Sequence, residues 1–386
     1  MFPVGAGVTV TELTTDPHPA LARLRASEPV SWLPALNGWL VTRHDLALQV
    51  MRDSTTFTVD DPRFSTAQVV GPSMLSLDDD EHARHRAPFS RQFRPREIEE
   101  RFGAFVRAEC ERLVSRILPA GQAELRRDLA GPLAAAVMAE ALGLAGTDAT
   151  QVLTWYDAIV STVGNISAGL PPDPAGTQAF GELRTHIEGS VAEANPSLLT
   201  DAAKALALPE VVSNAAVLMF GGIETTEGMI VNAVLHLLSD PAQLAAVDGD
   251  RSLVASAVEE SLRLEPAAAV VDRYATRDVE LDGIPIHRGD LVTVSLTAAN
   301  RDPAVFADPD TFDVRRPNLR KQLAFAHGPH FCLGADLARL EARIAVETLL
   351  DRLTGLRLAA PAAPTGLVFR KPASIHVRWE EISQPL

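Results

Sequence analysis

The stretch from Glu210 to Leu238, EVVSNAAVLMFGGIETTEGMIVNAVLHLL, constrains the fold more than any other part of this 386-residue chain. Pro209 suits a first helical position and Asp240-Pro241 supplies a stop. Its 29 residues span about 43 Å as a helix, enough to cross a whole domain, and its apolar content requires burial. The middle carries Gly221-Gly222, then Glu224-Thr225-Thr226. Each interior glycine costs about 1 kcal/mol relative to alanine. A nearby hydroxyl can bond back to the preceding turn and loosen the ladder. Two readings follow: close helix packing against glycine, or a thin, locally irregular groove where a flat or diatomic ligand meets the backbone.

The rest of the chain reads as mainly helical, with small β-sheets to one side. Helical periodicity runs through 98–118, 131–143, 148–163, 252–264 and 335–353. Residues 29–43 predict two strands turning at Asn37-Gly38; 279–296 predict a second strand cluster turning at Asp282-Gly283. The Pro- and Gly-rich segment 168–178 reads as a loop too short to separate domains, so 1–386 is expected to form one interleaved domain. Fifty acidic residues against 35 Lys plus Arg give a net charge of −15, which argues against nucleic acid or an anionic membrane as partner. Two cysteines, Cys110 and Cys332, make no disulfide framework and point to a reducing, cytoplasmic setting. The N-terminal MFPVGAGVTV lacks the basic start of a signal peptide, and no charge-free apolar run is long enough for a membrane span.

Cys332 lies in FAHGPHFCLG, bracketed by Gly328 and Gly334 and followed by a helix from about Ala335 with Leu337, Leu340 and Ile344 on one face. Unpaired N–H groups at such a helix start favour a thiolate. Three chemistries remain open: a nucleophile with His327 or His330 as base, a redox thiol, or a soft-metal ligand. A redox thiol wants a partner cysteine nearby, and none is present. A haem iron needs one thiolate, an apolar shell such as Phe325, Phe331 and Leu333, and cations for two propionates.

The pattern Phe325-x-x-Gly328-x-His330-x-Cys332-x-Gly334 resembles the haem-binding motif of the cytochrome P450 family, and further landmarks occur in the family's order from about Leu75 to Trp379. The resemblance implies a single triangular-prism-like domain, with haem b between the long central distal helix and the helix after the cysteine loop. It makes Cys332 the axial ligand of the iron. Glu260-Ser261-Leu262-Arg263 resembles the ExxR pair; with Arg316 in FDVRR it would lock the proximal pocket. Taken bare, that pair is an ordinary i, i+3 helix pair. His82 and Arg86 in HARHR, with Arg273 and His330, match a propionate cradle; their bland reading is a solvated helix face. Gly221-Gly222-Ile223-Glu224-Thr225 matches the distal (A/G)Gx(D/E)T motif, with glycine where alanine is common. It makes Gly222 a haem neighbour, Thr225 a positioner of the proton-relaying water, and Glu224 a proton source swinging between solvent and groove.

The resemblance further implies a soluble monooxygenase placing one oxygen atom of O2 into a small apolar substrate, in secondary metabolism or catabolism. Electrons would come from NAD(P)H through ferredoxin reductase and ferredoxin. The basic stretch 84–101, with Arg339 and Arg343, would face that acidic ferredoxin on a monomeric enzyme. Val69, Met219, Phe220, Ala268, Ala269 and Val270 would line an apolar pocket. Rival outcomes on the same scaffold are coupling, desaturation and peroxygenase chemistry. A rival of another class is a haem protein that binds or senses a ligand without turnover.

Overall fold

The long apolar segment forms one helix, Leu208–Ser239, 32 residues long and buried over most of its length. The Glu210 carboxylate accepts from the Ala207 N–H and closes the start. At the other end Asp240 accepts from the Ala242 and Gln243 N–H groups, turning the chain into the helix Pro241–Gly249. The structure, a computed structural model, describes residues 2–144, 147–167, 170–193 and 197–380.

Everything large packs round this helix. Gly131–Leu142, Pro174–Ala192, Val254–Leu264 and Ala335–Arg352 lie against it, and Pro95–Ile117 packs on Ala335–Arg352. Their apolar stripes merge into one core that includes Phe102, Leu133, Trp155, Met219, Ile230 and Ile344. Among the described residues no single helix is long and apolar enough to cross a membrane.

A mixed five-stranded sheet sits beside the helices, in the order Val30–Leu33, Gly38–Val41, Leu291–Ser295, Val270–Ala275, Phe57–Thr58. The first hairpin pairs Leu33 with Gly38, and Asn37 takes φ 48°. The second pairs Leu281 with Ile284 across Asp282 and Gly283, at φ 51° and 77°, the left-handed pair a tight two-residue turn requires. Leu291–Ser295 does not extend that hairpin. It pairs parallel to Gly38–Val41 and antiparallel to Val270–Ala275, so the two sequence-distant strand clusters share one sheet.

Two expectations need correction. The 168–178 segment is a loop only in part. Asp173 caps a helix from Pro174 to Ala192 by accepting from the Ala175 N–H, so Pro174 marks a helix start and not a continuation of the loop. Residues 168 and 169 lie outside the described residues. Secondly, the central helix runs unbroken through its glycine pair. The disturbance is confined to Thr225, whose hydroxyl donates to the Gly221 carbonyl at 2.6 Å. The two readings of the pair divide between its members. A Cβ on Gly222 would collide with the Met138 side chain, whereas one on Gly221 would meet no atom within 4 Å.

One buried group destabilises this core. Glu341, on Ala335–Arg352, is 2 % exposed, and its Oε2 has no hydrogen-bond partner. Burial pushes its carboxyl well above the ordinary range. The folded chain therefore holds that proton more tightly than the unfolded chain. Stability falls as pH rises above the ordinary carboxylate pKa, by about 1.4 kcal/mol per unit until the folded group itself ionises. Glu341→Gln should therefore stabilise the protein, more at pH 7 than at pH 5. Urea midpoints at the two pH values test this; a difference independent of pH would contradict it.

Candidate haem site

The cysteine loop is built by backbone constraints. Ala326 and Gly328 take φ 58° and 78°, and the Cys332 N–H donates to the Phe325 carbonyl at 2.9 Å. A Cβ on Gly328 would strike the Met51 carbonyl and come within 3.1 Å of the Arg52 Cα, so glycine is required there for both conformation and space. The helix Ala335–Arg352 begins directly after the loop, and Leu337, Leu340 and Ile344 are buried along one face.

Cys332 is deep among protein atoms yet retains accessible surface. Burial raises its thiol pKa; the Gly334 N–H, Arg86 and Arg339 pull the other way without winning. Burial thus opposes the thiolate that the helix start and the two arginines favour, and a coordinating cation would favour it further, since a metal-bound thiol is deprotonated outright. Neither histidine serves as a base for the sulfur. His330 Nε2 bonds Asp78 at 2.7 Å, and His327 accepts from Arg52 at 3.4 Å. Among the described residues no group of three His, Cys, Asp or Glu could hold a metal, so a metal at Cys332 must bring its other ligands with it.

Behind the loop, Glu260 and Arg263 are both 0 % exposed and joined by bonds of 2.7 and 2.8 Å. Arg316 Nε donates to the same carboxylate at 3.0 Å. Arg263 also donates to the carbonyls of Asn300, Pro309 and Thr311, and Arg316 to those of Asp308 and Thr311. One carboxylate and two guanidinium groups thus bind the irregular segment 300–316 to Val254–Leu264.

The expected propionate cradle comes from three separate places in the chain. His82 and His330 approach to 4.3 Å between ring centroids. His82 is 6 % exposed, its Nε2 has no partner, and burial lowers its pKa to about 4, with His330 and Arg86 adding to the effect. Arg86 donates to the Phe331 carbonyl at 2.6 Å, and buried Arg273 donates to the Asp272 carbonyl at 2.7 Å. Burial lowers the pKa of both guanidinium groups. Sequence reasoning missed Asp78, which accepts from His330, the Thr58 hydroxyl and the Val59 N–H. It precedes the helix Asp79–Ser90 in a run of acids that reads as nothing more than a helix start.

These features fit haem. An orphaned buried imidazole nitrogen and two desolvated guanidinium groups suit an incoming carboxylate. A Cβ at Gly334 would meet no protein atom closer than Phe93 Cε1 at 4.0 Å, and Gly221 faces a similarly open side on the central helix. Phe325 stacks beneath Arg339 at 4.4 Å and supplies apolar surface near the loop.

On the distal side, Leu218, Gly221, Gly222 and Thr225 are the partly exposed positions of the central helix between Val211 and Leu235, spaced as one face. Met219, an expected pocket residue, is fully buried in the core, and Leu218 takes the cleft-facing place. The i, i+3 and i+7 spacing from Leu218 to Gly221 and Thr225 was the signal available. Phe220 meets Phe369 edge to face at 5.5 Å. Ala268 and Val270 retain exposure while Ala269 is 2 % exposed, its carbonyl accepting from the Leu296 and Thr297 N–H groups. Val69 is partly buried against the core.

Glu224 is 7 % exposed and tethered inward. Lys371 Nζ lies 2.9 Å from Glu224 Oε1 and 2.9 Å from Glu227 Oε2, and Arg126 pairs with the other oxygen of Glu227. The carboxylate is held by a lysine that the motif does not contain.

The basic stretch 84–101 and the two arginines near it are neutralised only in part. Arg84 pairs with Glu81 and Glu210, Arg96 with Glu100, Arg339 with Glu259 and Asp336, and Arg343 with Glu99 and Glu347. Exposed Arg91 and Arg94 make no side-chain ion pair among the described residues.

The family model described as Cytochrome P450 matches residues 194–356. The chain is 34 % identical to cytochrome P450 monooxygenase PikC of Streptomyces venezuelae, over 97 % of this chain and 93 % of that protein. It is 33 % identical to the mycinamicin IV hydroxylase/epoxidase of Micromonospora griseorubida, over 92 % and 94 %. Its fold is similar to the crystal structure of P450BioI in complex with an acyl carrier protein bearing hexadec-9Z-enoic acid. That match has a TM-score of 0.87 and 30 % identity over 95 % of this chain and 98 % of that one.

Proposed function

The chain belongs to the cytochrome P450 family, and from that premise we propose that it is a ferredoxin-dependent haem-thiolate monooxygenase which hydroxylates or epoxidises a small, largely apolar molecule. The observation that carries this reading is a cysteine loop leading into a helix that packs against the central helix, on which the acid Glu224 and the alcohol Thr225 stand. Cys332 would bind the haem iron through its sulfur; His82, Arg86, Arg273 and His330 would hold the propionates. When bound, the haem supplies activation of dioxygen, with the thiolate pushing electron density to favour O–O cleavage.

The protein's own part is proton handling and exclusion of water. Thr225 Oγ1, anchored on the Gly221 carbonyl, positions a donor at the groove. Glu224 supplies protons once its Oε1 leaves Lys371 Nζ and turns toward Thr225. That tether replaces free swinging with a held carboxylate. Lys371, Glu227 and Arg126 form a charged path leading away from the cleft. Arg91, Arg94 and Arg101 are exposed cations without an ion pair among the described residues and are available to an acidic ferredoxin. The mycinamicin IV hydroxylase/epoxidase among the relatives supports oxygen insertion into an apolar substrate, and a cytoplasmic setting follows from the same reading.

The test starts from a compound that shifts the Soret band of the haem-loaded protein. With a ferredoxin, its reductase, NADPH and 18O-labelled dioxygen, the product should carry one labelled oxygen. Substrate-independent reductant use, or product without label, would overturn monooxygenation.

A further inference from the structure

The helix Asp79–Ser90, which carries His82 and Arg86, starts without the cap its sequence offers. Asp78 stands at the N-cap position with extended backbone, yet its carboxylate accepts from no N–H group of that helix. An aspartate acting as a cap is worth about 1 kcal/mol, so a side chain that forgoes the bond is committed elsewhere. Asp78 is 8 % exposed at its side chain, and both oxygens are taken. Oδ1 accepts from His330 Nε2 at 2.7 Å; Oδ2 accepts from the Thr58 hydroxyl at 2.6 Å and the Val59 N–H at 2.8 Å. Burial would raise its carboxyl pKa, but these bonds outweigh burial and lower it, which keeps the group an anion and an acceptor.

These bonds join the separate pieces of the expected cradle. Thr58 lies opposite Tyr274 in the sheet, one residue from Arg273. His82 and Arg86 stand on the helix that Asp78 begins. His330 belongs to the turn Gly328–His330, and its ring packs 4.3 Å from that of His82. The ring's Nδ1 makes no hydrogen bond among the described residues, so Asp78 is its polar anchor there and the other nitrogen stays free for a ligand. A charge-assisted bond of this length is about twice as strong as a neutral one, enough to hold an imidazole in one orientation.

We propose that Asp78 is a positioning residue for haem: through the His330 ring it sets where a propionate carboxylate is received, and through Thr58 and Val59 it ties that ring to the strand beside Arg273. This role presupposes the haem reading above, in which His330 holds a propionate. Partners that orient a ligating side chain from behind cost on the order of 10–100-fold in affinity at metal sites when removed, and the same scale is expected for haem retention here.

Haem transfer from the ferric, haem-loaded protein to excess apomyoglobin tests it, together with the propionate bending band in the resonance Raman spectrum. Asp78→Ala and His330→Ala should each lose haem at least about tenfold faster than the parent and shift that band. The double variant should lose haem no faster than His330→Ala alone, because Asp78 acts through that ring. Asp78→Asn keeps an oxygen for Thr58 and Val59 but faces His330 with a neutral amide, so it tests the ring bond with the strand bonds in place. It should also shift the band and speed haem loss, by less than alanine does. Parent-like haem loss and band position in both Asp78 variants, with faster loss in His330→Ala, would overturn the proposal and leave the cradle standing. Additive losses in the double variant would overturn it as well, by giving Asp78 a separate structural role. Parent-like haem loss in His330→Ala would overturn it together with the cradle.

Discussion

Replacing Glu260 with alanine should destabilise the protein by about 3–5 kcal/mol, because it leaves buried guanidinium charge without its counter-ion. Arg263 is fully buried and Arg316 is 8 % exposed; both lean on that single carboxylate. The pair differs in kind from the surface i, i+3 contact that its sequence spacing suggests, worth a few tenths of a kcal/mol. Six carbonyl bonds radiate from the two arginines into 300–311, so the loss reaches the scaffold behind the cysteine loop. Against a typical total stability of about 5–15 kcal/mol the variant should retain little haem at moderate temperature. Urea midpoints and haem retention measure it. A change under about 1 kcal/mol would show that the three charges are separately solvated and not one buried unit.

The second large effect is on turnover. Thr225→Ala should keep the fold and the haem spectrum, because the Thr225 hydroxyl bonds only the Gly221 carbonyl and the helix is continuous without it. Product per reducing equivalent should fall by about two orders of magnitude, the lower end of the scale of a lost proton-transfer group, with the electrons appearing as peroxide. Glu224→Gln should act on the same step and add a changed solvent isotope effect. Lys371→Met separates the tether from the source. It removes the ammonium group that holds both Glu224 and Glu227, so it should alter the pH profile of coupling while leaving substrate-induced Soret shifts intact. Unchanged coupling in Thr225→Ala would remove that residue from the proton route.

The sequence made the architecture readable where local chemistry decides it. The central helix is long, apolar and bounded by prolines; Asn37-Gly38 and Asp282-Gly283 turn their chains because their backbones accept positive φ. Gly328 is legible for the same reason, since no other residue fits beside the Met51 carbonyl. What escaped depends on contacts between distant segments. Lys371 reaches Glu224 from a two-residue strand near the far end of the chain, and nothing local marks it. Asp78 looks like a helix cap but supports His330 instead. Met219 and Leu218 are adjacent and equally apolar; only the rotation of the helix decides which one faces the cleft. In the basic stretch only Arg84 reaches an acid on another helix, Glu210, a contact its own sequence does not announce.

The central claim is that Cys332 holds the haem iron as a thiolate. The reduced carbon monoxide complex of the haem-loaded protein, recorded beside Cys332→Ala, tests it most directly. The parent should show the strongly red-shifted Soret band of thiolate ligation and the variant should lose it. A parent band of the imidazole-ligated type, or a thiolate-type band that survives in the variant, would contradict the assignment.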